Sequence, residues 1–382
     1  MKILTIGESN YDICTFLNEF PKANTNEFIS DETLESGDGI GANIACMLAK
    51  WGEEVYLSTA LGSDNYGEKL RKEYEMSSIK NDYIEMIFDK ETPRMFSIFD
   101  KKTSKKTNIK IINKEKTPIA KKNNFVVEPN LIVMDGYDFH VSNAALGKYP
   151  NTESLFVLNN TNPDSIELAK YSKKIVMSRE VAQAISKIDV SSKAPSLYLK
   201  LYNYMKQIFS HNEIIIFLGI DGIIYQNGEQ IQIMPMIKVE FKSDSKALDY
   251  FAAGYAYSLV NNFDFIKSLS YGLIASGLSS MTLNRNELPS LNNVIDYYNK
   301  SLSANHVQTA PPTQPIQQTP VTNQSVQQTP PIAQPANTQE NIASVQTNNV
   351  QTNAPQTQIN NQVGLTQMPT NQNNEINNVS SN

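Results

Sequence analysis

Three segments of the chain place residues that could bind a ligand or move a proton beside an expected helix start or turn. Residues 37–52, GDGIGANIACMLAKWG, form a glycine-rich turn before a helix, so backbone NH groups at the helix start can approach a ligand closely. Residues 243–254, SDSKALDYFAAG, contain Asp249 near a helix start, and residues 217–222, FLGIDG, follow a β-rich run. By itself such an aspartate stabilises the helix dipole by up to about 1 kcal/mol, and FLGIDG alone fits a hairpin turn. The role of these two segments therefore depends on their context.

The first segment also satisfies the dinucleotide-binding pattern G-x-G-x-x-A. That site needs a buried strand before the glycines and an acidic residue closing the next strand. Here the preceding residues, FISDETLES, are not typical of a buried strand, and no acidic residue closes the next one, VYLSTA. The sequence therefore argues against a dinucleotide site.

Several segments resemble motifs of the ribokinase-like (PfkB) carbohydrate kinases, in the same order along about the first three hundred residues. DGIGANIACMLAKWG is similar to the sugar-binding signature, Gly-Gly-x-Gly-x-Asn before a helix ending Leu-Gly, with Asp38 in place of the first glycine and Trp51 in place of the leucine. GESNYDI matches the family's first strand and turn, and ALGSDNYG, residues 60–67, matches its Gly-x-Asp-x-x-Gly turn.

The resemblance implies a small-molecule acceptor, a sugar or nucleoside, held by four residues: Asp12, Gly39, Gly41 and Asn43. The alternative for Asp12 and Asn43 is turn stabilisation, because both residue types hydrogen-bond to nearby backbone.

Residues 243–254 resemble the family's Asp-Thr-x-Gly-Ala-Gly-Asp-x-Phe-x-x-Gly, which implies that Asp249 is the general base. The NH groups of Lys246, Ala247 and Leu248 would then face the transferred phosphoryl group. Both glycines of this anion hole are replaced, by Lys246 and Leu248, and Ser243 stands for the first aspartate. Side chains there could strain the turn or block the phosphate, or Lys246 could neutralise its charge.

The resemblance also implies a site for ATP with Mg²⁺. FLGIDG is similar to a Thr-x-Gly-x-x-Gly segment that lies along the nucleotide, with Phe217 in place of threonine, which makes Gly219 and Gly222 nucleotide-binding candidates. The family's Asn-x-x-Glu aligns with VMSREVAQAI, where Ser178 and Val181 take those positions. Glu180, one position away, is a candidate metal ligand.

The elements that must position these residues follow an α/β pattern. Short apolar runs alternate with helix-compatible segments, as buried parallel strands with crossover helices do. The runs are residues 3–6, 55–58, 131–134, 155–158, 174–177 and 214–218. Residues 92–112 alternate instead, as MFSIFD and TNIKII, which predicts a β-hairpin outside the main sheet. With the resemblance, this predicts a three-layer α/β/α domain over residues 1–300, with a mostly parallel sheet and a β lid from about 10–36 and 92–112.

Composition limits the other partners. The net charge of −6 argues against a general nucleic-acid binder. The lysine run of residues 101–122 fits a solvated hairpin and linker, and the alternative is a patch that attracts phosphorylated ligands. Cys14 and Cys46 lie in apolar surroundings without metal-site spacing. The apolar run at the N-terminus is too short to be the hydrophobic region of a signal peptide, and no apolar run is long enough to span a bilayer. We therefore expect a cytoplasmic protein without membrane or nucleic-acid partners.

Residues 301–382 are rich in Asn, Gln, Thr and Pro and hold only two charged residues, Glu340 and Glu375. Such a segment buries too little apolar surface to offset its conformational entropy, so we expect a disordered tail. By resemblance, a homodimer could form through the lid.

Two functions follow from this sequence. The first is ATP-dependent phosphorylation of a sugar or nucleoside hydroxyl. The second, motivated by the altered anion hole and the missing Asn-x-x-Glu, is a catalytically inactive relative that serves as a scaffold or binds a small molecule.

Overall fold

The computed structural model describes residues 1–307 apart from 23, 25–29, 31, 104, 244 and 284, with only the backbone of 286 and 304–307. The sequence predicts a disordered tail over residues 301–382, but residues 301–307 belong to the last described helix, and the remainder lies outside the described residues. The strands are β1 (Lys2–Ile6), β2 (Asn10–Leu17), β3 (Thr33–Asp38), β4 (Glu54–Gly62), β5 (Ile84–Ile87), β6 (Arg94–Asp100), β7 (Lys105–Ile111), β8 (Leu131–Met134), β9 (Glu153–Leu158), β10 (Lys174–Ser178), β11 (Glu213–Phe217), β12 (Ile223–Asn227) and β13 (Gln230–Met234). The helices are α1 (Ile40–Lys50), α2 (Asn65–Met76), α3 (Phe139–Lys148), α4 (Pro163–Lys170), α5 (Arg179–Ser186), α6 (Pro195–Ile208), α7 (Ala247–Val260), α8 (Phe265–Ser279) and α9 (Leu291–Val307).

The central sheet has the strand order β13-β12-β11-β10-β9-β8-β1-β4-β5. The strands from β11 to β5 pair in parallel, whereas β12 and β13 form an antiparallel edge. All six apolar runs that predicted strands lie in this sheet. The predicted mostly parallel sheet is therefore confirmed.

Helices cover both faces of this sheet. Ile3 and Val133 point to one face, which α1, α7 and α8 cover, while Leu4 and Ile132 point to the other, under α3, α4 and α6. This alternation follows from the two-residue period of a strand. Each such side chain contributes roughly 1.5–3 kcal/mol relative to leaving it exposed. The three-layer arrangement expected from the sequence is confirmed.

A separate four-stranded sheet, with the order β3-β2-β6-β7, forms the lid. β6 and β7 are the predicted hairpin, paired antiparallel from Arg94 with Ile111 to Asp100 with Lys105. β2 joins β6 in parallel and β3 antiparallel. One face of the lid, which includes Asp12 and Ser97, is turned to the site described below.

The central sheet reverses its direction of growth at β1. From β1 the chain adds β4 and β5 on one side and later β8 to β13 on the other. Because the crossover helices leave in opposite directions at such a point, a crevice opens at the carboxyl ends of the two strands. The predicted site residues should therefore be sought beyond β1 and β8.

Candidate functional site

The turn before α1 packs two glycines against the chain that follows β1. Gly39, the N-cap residue, has φ 106°, and a Cβ there would lie 2.3 Å from the carbonyl oxygen of Glu8. A Cβ on Gly41 would lie 2.8 Å from the Cα of Gly7. Neither position accepts a side chain, so these predicted acceptor-site glycines allow α1 to begin directly at the carboxyl end of β1.

Asp135, immediately after β8, connects these backbone segments. Its Oδ2 accepts hydrogen bonds from the NH groups of Glu8 (2.8 Å) and Gly41 (3.1 Å), and its Oδ1 accepts one from Tyr137 (2.9 Å). Burial raises the pKa of Asp135 to about 6, although the three backbone donors oppose that shift. Asp135 thus holds the crevice together where the sheet reverses.

Asn43 lies at the centre of the site and is fully buried. Its Nδ2 donates to Asp38 Oδ1 (2.7 Å) and to Asp249 Oδ2 (2.8 Å), while its Oδ1 accepts from the guanidinium of Arg285. Because arginine can only donate, this contact fixes the amide orientation and turns Nδ2 to the carboxylates. The Asn43 amide makes these hydrogen bonds to protein side chains. Asn43 therefore positions the two acids Asp38 and Asp249.

Asp249 lies in the first turn of α7 and is 7 % exposed. Burial raises its pKa to about 7, the charges of Asp38 and Asp135 raise it further, and the Asn43 amide and Lys246 oppose the shift. A carboxyl group with this pKa can exchange a proton near neutral pH. The predicted general base therefore has an environment suited to that chemistry.

Asp38 and Lys246, the residues that replace two glycines of the family motifs, form an ion pair. Lys246 Nζ lies 3.2 Å from Asp38 Oδ1. Burial acts to raise the pKa of Asp38, but Lys246 and the Asn43 amide outweigh it and hold that pKa well below its usual range. The backbone of Lys246, with φ −116° and ψ 11°, lies outside the left-handed region, and Leu248 is helical. The strain considered from the sequence is therefore absent at these two residues.

Asp12 points from the lid into the same cleft. It accepts hydrogen bonds from the Ser97 hydroxyl (2.7 Å) and from Lys106 Nζ (2.8 Å). Burial acts to lower the pKa of Lys106, but the charge of Asp12 outweighs it and raises that pKa. The predicted acceptor-binding aspartate thus has a cation of the lid as its present partner.

The cleft between the lid and the N-terminus of α7 is narrow. The residues that line it include Asp12, Ser36 and Lys106 from the lid side and Lys246, Ala247, Tyr250, Ser279 and Arg285 from the opposite side. Its free volume is about 20 Å³, room for about one water molecule. Ala247 and Tyr250 of α7 belong to this lining, whereas Asp249 does not. A molecule larger than water can enter only if the lid or the side chains that line the cleft move.

The predicted nucleotide-binding turn lies elsewhere along the sheet edge. Gly219 begins a short 3₁₀ turn, η1 (Gly219–Asp221), between the antiparallel strands β11 and β12, so the segment is also a hairpin turn. Gly222 has φ 105°, and a Cβ there would lie 2.1 Å from the carbonyl oxygen of Met234. Gly219 has φ 68°, and its Cβ would meet no atom within 4 Å. Gly222 is needed for packing, whereas a side chain at Gly219 would meet no neighbouring atom.

Glu180, the candidate metal ligand, faces solvent. Its side chain is 71 % exposed and pairs with Arg179, while the Ser178 hydroxyl caps α5 by accepting from the NH of Val181 (3.3 Å). Arg179 and Lys193 also contact the Asp221 carboxylate of the glycine turn. Among the described residues, no group of three His, Cys, Asp or Glu side chains is arranged to hold a metal ion.

Sequence reasoning missed Arg285, Asp135 and the pairing of Lys106. Arg285 lies in a short turn after α8, where no local pattern marks it, and it also binds Glu73 Oε1 at 2.7 Å. Lys106 belongs to a lysine run that indicated only solvation. Asp135 was the one with a usable signal, because it directly follows a buried strand.

In the described part of the chain, four lysines of the run of residues 101–122 pair with acids. Besides Lys106 with Asp12, the structure pairs Lys101 with Glu32 at 3.1 Å, Lys116 with Glu91 at 3.3 Å, and Lys110 with Glu8. The more exposed pairs of Lys101, Lys110 and Lys116 agree with a solvated hairpin, whereas the buried Lys106 does not. In the described part of the chain, no helix has the length and apolarity to cross a membrane. The expected cytoplasmic location stays a prediction.

The doubly wound sheet, the separate β lid and the cleft between them define the ribokinase fold. A solved structure of a putative ribokinase from Agrobacterium tumefaciens matches with a TM-score of 0.70 and 14 % identity, covering 79 % of this chain and 98 % of that one. The structure of Arabidopsis thaliana ribokinase complexed with ribose and ATP matches with a TM-score of 0.64 and 16 % identity, covering 77 % and 97 %.

Sequence comparison agrees. The ribokinase of Lactococcus lactis is 24 % identical over 284 residues, which cover 73 % of this chain and 90 % of that protein. The profile of the pfkB family carbohydrate kinases matches residues 1–282. The chain belongs to the pfkB family of carbohydrate kinases, as its sequence motifs indicated.

Proposed function

We propose that this protein transfers the γ-phosphoryl group of ATP to a hydroxyl group of a sugar or nucleoside, with Asp249 as the general base. The observation that carries this proposal is the buried Asp249 carboxyl group at the N-terminus of α7, which has a pKa of about 7 and is oriented by Asn43. Nucleotide-bound relatives support the donor, since the Arabidopsis structure contains ATP.

In the proposed reaction Asp249 takes the proton of the acceptor hydroxyl. The hydroxyl oxygen then forms a bond to the γ-phosphorus, the bond from that phosphorus to the β,γ-bridging oxygen breaks, and its electron pair leaves with ADP. Oδ2 of Asp249 accepts from Asn43, and no hydrogen bond to Oδ1 is found among the described residues. Oδ1 is therefore the oxygen assigned to receive the proton.

The residues at both ends of the proposed site fit a nucleotide. The space beside the Gly219 Cα is unfilled, Arg179 contacts Asp221 of the same turn, and the first NH groups of α7 lack partners within their own helix. Mg²⁺ would enter with the phosphates, since that ion commonly keeps its waters and needs few protein ligands. It would neutralise phosphate charge there. Glu180 is exposed and pairs with Arg179, so the ion would be held mainly by the phosphates and its waters.

Acceptor entry requires Lys106 to leave Asp12, which would then bind acceptor hydroxyls. The lid supplies both Asp12 and Lys106, from β2 and β7. Closing the lid over the acceptor would exclude water from the reacting phosphate.

The narrow cleft also favours a second candidate, a catalytically inactive relative that binds a small molecule or a partner protein. Two lysines already neutralise Asp12 and Asp38, and the remaining volume is about 20 Å³. On this alternative the ion pairs are permanent and hold the lid closed.

Measuring ADP release with a panel of sugars and nucleosides, in the presence of ATP and Mg²⁺, separates the two functions. The kinase requires turnover with at least one acceptor.

Replacement Asp249→Asn should lower kcat at least about 10²-fold, because general-base catalysis contributes that much, without loss of melting temperature. Asp164→Asn is a matched control, since Asp164 also lies in the first turn of a helix but is exposed. An active Asp249→Asn protein would contradict the mechanism.

We also propose a homodimer through the outer face of the lid. Phe96 of β6 pairs with Ile109 of β7 on that face, and Ile109 and Ile111 are 49 % and 43 % exposed on its edge strand. Exposed apolar side chains on an edge strand favour association. Light scattering should give a molecular mass of twice that of one chain for the wild-type protein, and the mass of one chain for Ile109→Glu. A wild-type protein that stays monomeric at all concentrations would exclude the dimer.

A further inference from the structure

Two departures of this chain from its family's motifs meet in the folded protein. Asp38 replaces a glycine before α1, Lys246 replaces a glycine before α7, and Lys246 Nζ lies 3.2 Å from Asp38 Oδ1. Each side chain is only 16 % exposed, so salt screens their attraction less than that of a surface pair. The two replacements therefore form one structural unit.

Asp38 is the fixed member of this unit. Its Oδ1 also accepts hydrogen bonds from the Asn43 amide (2.7 Å) and from the NH of Gly39 (2.8 Å). Asn43 is in turn held by Arg285. The carboxylate that anchors Lys246 thus has a position determined by the turn before α1.

Lys246 is located where an anion would find several donors. It is the N-cap residue of the 14-residue helix α7 and makes no cap hydrogen bond with its own side chain. Ser279 lines the same cleft, is 2 % exposed, and its hydroxyl has no hydrogen-bond partner in the described part of the chain. An ammonium group, helix NH groups and a buried hydroxyl together make an anion site.

We propose that Lys246 contacts the γ-phosphate of the bound nucleotide and that Asp38 is the positioning residue that holds its ammonium group. This inference rests on the proposed function. The family's motif offers glycines at this turn, whereas here the side chain of Lys246 supplies a cation. Asp38 keeps that cation beside the acceptor hydroxyl and Asp249, and the charge that builds on the phosphoryl oxygens during transfer is thereby neutralised.

Calorimetric titration with the β,γ-imido analogue of ATP and with ADP tests this contact without turnover. Lys246→Met should weaken binding of the analogue about tenfold or more, because a hydrogen bond to a charged group is lost, and change ADP binding less than about twofold. Lys246→Arg should keep the preference for the triphosphate. Lys170→Met, which breaks an exposed ion pair with Glu167 on α4, is the matched control and should change neither affinity.

The double variant Asp38→Asn, Lys246→Met separates contact from simple repulsion. If Lys246 touches the γ-phosphate, the double variant stays as weak as Lys246→Met. If the loss in Lys246→Met arises only because Asp38 is left unpaired and repels the phosphates, the double variant recovers wild-type affinity, and that overturns the inference. Equal losses for the analogue and ADP also overturn it, provided that melting curves show folded protein.

The positioning role of Asp38 is tested separately by steady-state kinetics. Asp38→Asn should lower kcat about tenfold or more with KM for ATP changed less than about threefold, since the lysine charge remains but its placement is lost. Unchanged kcat would remove the positioning role. A wild-type protein that binds neither nucleotide would refute the proposed function and this inference together, whereas binding with an unaffected Lys246→Met refutes the inference alone.

Discussion

The turns before α1 and α7 both contribute to the site at the carboxyl edge of the central sheet, but they use their residues in opposite ways. The first keeps Gly39 and Gly41, each pressed against the backbone that follows β1. The second has lost both glycines of its motif, and Lys246 lies outside the left-handed region there. The first turn has no room for a side chain at its two glycines, whereas the second accommodates the side chain of Lys246.

This difference explains where the chain can depart from its family. A side chain at Gly39 or Gly41 would collide with atoms that cannot move aside, so these glycines are needed for the fold itself. The turn before α7 faces the cleft, where a side chain finds space and a partner. Departures there change the chemistry of the site and leave the architecture intact.

Among the substitutions that test this difference between the two turns, Gly39→Ala should have the largest effect on stability. We expect it to lower the free energy of unfolding by about 3 kcal/mol, because alanine at φ 106° is strained and its Cβ meets the Glu8 carbonyl oxygen. In the second turn the exposed Ser245→Ala should cost no more than about 0.5 kcal/mol. Urea denaturation measures both.

Gly147→Ala is the control, since Gly147 lies in helix α3 with nothing within 4 Å of its added Cβ. It should stabilise the protein by up to about 1 kcal/mol through helix propensity. Equal effects at Gly39 and Gly147 would remove the steric explanation.

Arg285 connects the two turns through Asn43, and its removal should have the next largest effect. Arg285→Met leaves the buried Asn43 Oδ1 and the Glu73 carboxylate without this partner, so we expect a loss of about 2 kcal/mol in unfolding free energy. Arg71→Met breaks only exposed ion pairs with Glu68 and Glu75 and should cost less than about 1 kcal/mol. Similar losses for the two variants would show that Arg285 does not hold the site together.

The carboxyl groups of the two turns should respond oppositely to pH, although they share the Asn43 amide. For Asp249, whose folded pKa is raised to about 7, stability is present at low pH and is lost as pH rises from about 4 to about 7. For Asp38, whose folded pKa is lowered, stability is present above its ordinary pKa and is lost as pH falls below it.

Stability curves of Asp249→Asn and Asp38→Asn between pH 3 and pH 8 test this contrast. Asp249→Asn should remove a decline on the order of 1 kcal/mol per pH unit between about pH 4 and 7. Asp38→Asn should destabilise the protein at neutral pH more than at pH 3. A parallel response of the two variants would mean that the turns do not differ electrostatically.

The amino-acid sequence by itself determined the sheet, the lid hairpin and the family. Apolar runs and alternating patterns reflect the period of each element, which depends on adjacent residues. The glycine turns were visible for the same reason, because backbone conformation is local. The position of Asp249 at a helix start likewise followed from its immediate neighbours.

Only the tertiary structure decided which polar and charged side chains come into contact. Asn43 and Asp249 are 206 residues apart in sequence, and nothing near Arg285, Lys106 or Lys246 indicates Asn43, Asp12 or Asp38 as a partner. These pairs form because the central sheet and the lid bring distant segments to one cleft. Burial in that cleft strengthens each interaction because solvent screens it less. Local patterns encode secondary structure, whereas the electrostatics of this site depend on distances that exist only after folding.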